Sequence, residues 1–138
     1  MKYEIFSFND PGYKTLMSYQ SWRVAILNFI DELLVDNLSY VESHSKTDEV
    51  FVLLEGEASL IFADVEANVI QSFEVLKLEK HKVYNIKKGI YHTHVLSKNC
   101  KLLIVEEEDT SDENSIRIYL EKEHIEEIKE NNYEKVNF

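Results

Sequence analysis

Apolar residues fall in short runs along this chain, separated by a few polar positions. Trp22–Ile30, Leu38–His44, Val50–Leu54, Ala58–Phe62, Phe73–Leu78, Val83–Ile86, His92–Leu96 and Leu102–Val105 are each rich in β-branched, aromatic or leucine residues. No long amphipathic helix separates them, which predicts an antiparallel sandwich or barrel rather than βαβ units. Gly56 splits two adjacent runs and predicts a hairpin between Val50–Leu54 and Ala58–Phe62. Asn9-Asp10-Pro11-Gly12 reads as a turn. Helical expectations are a short turn over Asp31–Val35 and a helix over Glu121–Glu130, where Ile125 and Ile128 repeat at i, i+3. The acidic run Glu106–Asn114 reads as a solvated loop.

Composition narrows the function classes. A chain of 138 residues is one domain by length, with 44% apolar and 12% aromatic residues to form its core. A net charge of −11 repels nucleic-acid backbones and anionic lipid surfaces. No apolar run approaches the ~20 residues of a membrane span. Met1–Asp10 lacks the apolar stretch of a secretion signal, and Cys100 has no second cysteine to bridge. The expectation is a cytoplasmic protein with a buried structural thiol at Cys100. His81 and His124 are expected on the surface.

The candidate chemistry sits at two places. Residues two apart on a strand share a face, so Leu38, Tyr40, Glu42 and His44 form one set, and His92 and His94 another. With these faces turned inward, Glu42, His44, Glu49 and His92 offer two imidazoles and two carboxylates to a divalent ion. His94 lies beside the site, or exchanges roles with His92 if the strand register differs. Tyr40 and Tyr91 are candidate pocket aromatics. Two inward carboxylates are costly without a cation, so they imply a bound ion or one protonated member suited to acid–base chemistry.

The spacing His44-x4-Glu49-x6-Gly56, followed by Gly89-x2-His92, resembles the two signature motifs of the cupin superfamily. Glu42 stands in the slot of the first motif's leading His. In the second motif Lys87, His81 and Leu96 replace its proline, leading glycine and asparagine. The segments Thr47–Gly56 and Val105–Ser115 look like those of a group of small single-domain cupin proteins. The resemblance implies an all-β, cupin-type double-stranded β-helix (a jelly-roll barrel) with a short C-terminal helix. It places the barrel core at about residues 20–110 and the helical tail at about 119–138, within one domain spanning 1–138. It further implies a divalent Fe, Mn, Ni or Zn ion on His44, Glu49, His92 and Glu42, a small-molecule ligand or substrate, and a homodimer. Met1–Phe8 and Glu121–Phe138 are the segments expected to exchange or pack across that dimer. Three functions are compatible: a metal enzyme of isomerase, oxygenase or lyase type, a metal-free sugar isomerase or epimerase, and a non-catalytic ligand-binding or regulatory module.

Overall fold

A computed structural model describes residues 1–138. Ten strands divide equally between two five-stranded antiparallel sheets. They are β1 (Gly12–Tyr19), β2 (Trp22–Asn28), β3 (Tyr40–His44), β4 (Glu49–Glu55), β5 (Ala58–Glu66), β6 (Val69–Lys77), β7 (Val83–Ile86), β8 (Tyr91–Leu96), β9 (Lys101–Glu107) and β10 (Ser115–Tyr119). Two short helices, α1 (Lys122–Glu130) and α2 (Tyr133–Val136), end the chain. The first sheet runs β1-β2-β9-β4-β7 and the second β10-β3-β8-β5-β6. This is an antiparallel two-sheet architecture, as the spacing of the runs predicted, and the jelly roll that the motif resemblance implied.

The topology corrects the expected hairpin. β4 pairs with β7 and β9, whereas β5 pairs with β6 and β8, so the two flank Gly56 without pairing to each other. Gly56 turns a corner from one sheet to the other. Its φ is +74°, and a Cβ there would stand 2.7 Å from Cys100 Cα, so the crossing needs glycine both for its backbone and for its space.

β1 and β10 extend the sheets beyond residues 20–110 and belong to no run singled out in the sequence. β1 carries a register shift between Thr15 and Met17 that breaks its alternation, and it lies at a sheet edge. β10 is an edge strand directly after the acidic run.

Two apolar clusters hold the structure together. Between the sheets, Ala25, Leu27, Phe51, Leu60, Leu96 and Leu102 pack with Cys100, which is buried as expected. On the outer face of the second sheet, Ile61, Val75 and Val95 are covered by Ile128 of α1 and Val136 of α2. The second sheet is thus buried on both faces, which is why β5 reads as a continuous apolar run rather than an alternation. Ser59 Oγ donates to the Lys135 carbonyl at 2.6 Å and fastens α2 to β5. Leu38 precedes β3, packs into this outer cluster and also lines the cavity that Tyr40, Glu42 and His44 face.

Candidate metal centre

Strand geometry brings the two motif segments together at one end of the barrel. Glu42 of β3 lies directly opposite His92 of β8, and His92 and His94 share the inward face. His44 closes β3 and Glu49 opens β4, so the loop between them folds both side chains back over His92. Gly89 N–H donates to the His44 carbonyl at 2.9 Å, tying the two segments together. Asp48 accepts from the Asn85 side chain and from the Lys88 N–H, and these bonds hold its carboxyl below the usual range.

His44, Glu49 and His92 are all buried, and their donor atoms lie within 4.8 Å of one another. Glu49 Oε1 stands 2.9 Å from His92 Nε2 and 3.3 Å from His44 Nε2. Each ring is committed at its other nitrogen. His92 Nδ1 faces the Ile90 carbonyl at 3.0 Å, and a carbonyl only accepts, so that nitrogen carries the proton. His44 Nδ1 faces Ser115 Oγ at 2.9 Å, while the Ser115 hydroxyl donates to the Ser111 carbonyl at 2.7 Å. Ser115 therefore accepts from His44, and that Nδ1 is protonated too. In their neutral forms both Nε2 lone pairs point at one carboxylate.

Only a proton or a metal ion in each gap makes this arrangement favourable. With protons there, burial would raise the Glu49 carboxyl, but hydrogen bonds and charge from the two rings hold it well below the usual carboxylate range. Burial likewise disfavours charge on His44, yet the bond to Glu49 and the charges of Glu49 and Glu42 leave its pKa above the ordinary value. With an ion there, the site is two imidazoles and a carboxylate, each imidazole oriented by an outer partner. This donor set fits a first-row divalent ion.

Glu42 is placed differently from the other three. Its Oε1 is 3.6 Å from His44 Nε2, and its Oε2 accepts from Arg117 Nε at 2.8 Å. It is not among the three residues whose donor atoms cluster within 4.8 Å. Arg117 in turn lies 4.2 Å from the centre of the Tyr40 ring. Tyr40 and His94 line the cavity of about 350 Å³ that opens on the triad. Burial pushes the His94 imidazole down to about 4, which keeps it neutral. Tyr91 does not line this cavity: it precedes His92 on β8, and the alternation that turns His92 inward turns Tyr91 outward.

Several site residues escaped the sequence reading. Glu106 ends the inward row of β9, 7% exposed, and is no part of a solvated loop. Arg23 Nη2 donates to Glu106 Oε1 at 2.7 Å and also to the Thr110 carbonyl. Burial, reinforced by the nearby Glu49 charge, pushes the Glu106 carboxyl up to about 7. Ser115 and Arg117 come from β10, paired with His44 and Glu42 respectively. The alternation Ile116-Arg117-Ile118 was the one available signal for Arg117.

No protein-family model matches the chain, and no curated protein matches it by sequence. Solved structures do match. A cupin-2 domain protein from Shewanella frigidimarina superposes with a TM-score of 0.52 at 22% identity, over 71% of this chain and 82% of that one. Streptomyces PAC13, solved with uridine, gives 0.59 at 8% identity over 89% and 96%. The FeII form of HppE gives 0.52 at 16% identity over 69% of this chain and 50% of that one. With this topology, and with the motif residues gathered at one barrel end, the chain has the cupin fold.

Proposed function

We propose that this cupin-fold chain binds a divalent Fe, Mn, Ni or Zn ion on His44, Glu49 and His92, and that it acts on or binds a small molecule beside that ion. The observation that carries the reading is the double commitment of the Nδ1 protons, which leaves two Nε2 lone pairs aimed at Glu49. The FeII in HppE and the uridine in PAC13 support it, since both were found in proteins of this fold.

A bound ion supplies Lewis-acid polarisation of a substrate oxygen, which serves isomerase, oxygenase or lyase chemistry. The chain's own residues do the rest. Ser115 and Ile90 fix the ring orientations, and Glu42, held by Arg117, is a fourth donor or a base. In the absence of an ion, Glu106, with its carboxyl raised to about 7, holds or releases a proton near neutrality. That raised carboxyl beside the Glu49–His92 pair also favours a second reading, metal-free acid–base chemistry of the sugar isomerase or epimerase kind.

Elemental analysis of protein purified without tag or chelator separates the two. The metal reading expects about one equivalent of a transition metal, lost in His44→Ala and in His92→Ala. No metal, together with no thermal shift on adding Fe, Mn, Ni or Zn, leaves the acid–base reading.

No helix is long and apolar enough to cross a membrane. The buried free thiol of Cys100 supports a reducing compartment such as the cytoplasm. A homodimer is part of the proposal. The first sheet's outer face has an apolar groove among Phe6, Phe8, Met17, Val24, Leu54 and Leu103, a surface that a second copy would cover. Sedimentation velocity tests it.

A further inference from the structure

Glu42 stands beside the triad but is held by a cation of the chain's own. Its Oε1 comes only to 3.6 Å from His44 Nε2, while its Oε2 accepts from Arg117 Nε at 2.8 Å. Arg117 lies directly opposite Glu42 in the pairing of β10 with β3, so strand register delivers the guanidinium to the carboxylate. Such a charge-assisted bond is roughly twice as strong as one between neutral groups.

Arg117 is itself fixed at three points. Besides the bond to Glu42, its Nη2 donates to Asp112 at 2.7 Å, and its guanidinium lies 4.2 Å from the centre of the Tyr40 ring. Tyr40 precedes Glu42 by two residues on β3 and shares its face. Isolated surface ion pairs contribute little. Here the Arg117 and Glu42 side chains are partly shielded, at 30% and 21% exposure, and stacking on the ring restrains the guanidinium further. Charge then decides what the clamp does. A divalent ion bound to Glu49 keeps a net positive charge, which attracts a free carboxylate next to His44. Arg117 offers Glu42 a competing cation already in place. Three protein donors leave coordination positions for a small molecule, whereas a fourth closes one of them.

We propose that Arg117 is a positioning residue that withholds Glu42 from the metal ion and so keeps a further coordination position open. This rests on the reading of His44, Glu49 and His92 as a metal site, and deepens it by naming what sets the number of protein donors. Glu42 is thereby left on the cavity wall, facing a bound small molecule rather than the ion.

The test is a titration of the full chain and its variants with Mn(II). Electron paramagnetic resonance reads the affinity, and water-proton relaxation reads the waters left on the bound ion. Arg117→Met keeps an unbranched side chain and removes the charge. It is expected to tighten Mn(II) about tenfold, because one more charged donor joins the ion. Relaxivity of the bound ion is expected to fall by roughly a third, one of three waters leaving a six-coordinate ion. Arg117→Lys keeps a cation beside Glu42 and stays near the parent in both readings. Removing a positive charge tightens binding to an ion by itself, so Arg117→Met is repeated in a Glu42→Gln background. There most of the gain disappears and relaxivity does not move. Should Arg117→Met not fold by circular dichroism, Arg117→Gln carries the same expectations. The idea is overturned if affinity and relaxivity stay at the parent's values, as they would for a merely structural clip between β3 and β10. It is equally overturned if the gain is as large in the Glu42→Gln background. Mn(II) uptake without these changes sinks this inference alone, whereas no uptake by parent or variant sinks the metal reading and this inference with it.

Discussion

Ser115 Oγ accepts from His44 Nδ1 at 2.9 Å and donates its own hydroxyl hydrogen bond to the Ser111 carbonyl. A residue 71 positions away in sequence thereby decides which nitrogen of His44 faces Glu49. Ser115→Ala removes that control and leaves the three donor side chains in place. Metal affinity, read by competition with a chromogenic chelator, is expected to fall about 10- to 100-fold with the fold intact by circular dichroism. Unchanged affinity would show that Ser115 does not orient the ring.

The Gly56 corner makes a separate prediction. Gly56→Ala places a Cβ 2.7 Å from Cys100 Cα and 2.8 Å from its amide nitrogen, at a φ of +74°. Backbone atoms of an internal strand connection have little room to give. A loss of about 2–4 kcal/mol in urea unfolding is expected from strain and overpacking together. A loss below about 0.5 kcal/mol would mean the corner relaxes.

α1 and α2 are structural rather than ornamental. Ile128 is fully buried against the outer face of the second sheet. Ile128→Ala is expected to cost about 2–5 kcal/mol of stability by denaturant titration, without changing the metal stoichiometry. If metal were lost while stability held, the helices would be serving the site directly.

Cys100 gives a pH signature. Burial pushes its thiol from 9.0 up to about 12. Between those values the unfolded chain releases a proton that the folded chain keeps, so stability falls as pH rises from about 9 to 12. Below 9 both states are protonated and the group contributes no slope. Cys100→Ala lowers stability at neutral pH through the small cavity it leaves, but its loss on going alkaline is shallower than in the parent. Parallel profiles for the two proteins would show that the thiol titrates normally.

The sequence carried the barrel and the heart of the site because both are written locally. Short apolar runs mark strands, and the spacings His44-x4-Glu49 and Gly89-x2-His92 sit within single turns and strand ends. What escaped it depends on pairing. Nothing near Ser115 or Arg117 announces that β10 lies beside β3, because strand partners distant in sequence leave no local periodicity. Glu106 was misjudged because its neighbours are acidic. Composition suggested solvent there, whereas its register on β9 turns it inward to Arg23. The Gly56 hairpin failed for the complementary reason: adjacent runs with a glycine between them fit a jelly-roll corner as well as a hairpin. Tyr91 misses the pocket because it adjoins His92, and alternation sends neighbours on a strand to opposite faces.

The pairing of β10 with β3 also bears on how the molecule is made. Residues 115–119 complete the sheet that residues 40–44 began, and Ile128 and Val136 seal its outer face. During synthesis β3 therefore waits for its edge partner until residues 115–119 have left the ribosome. His44 acquires its orienting serine only at the end of that wait. Until residues 111–115 are in place, the His44 ring lacks the hydrogen bond that fixes its orientation.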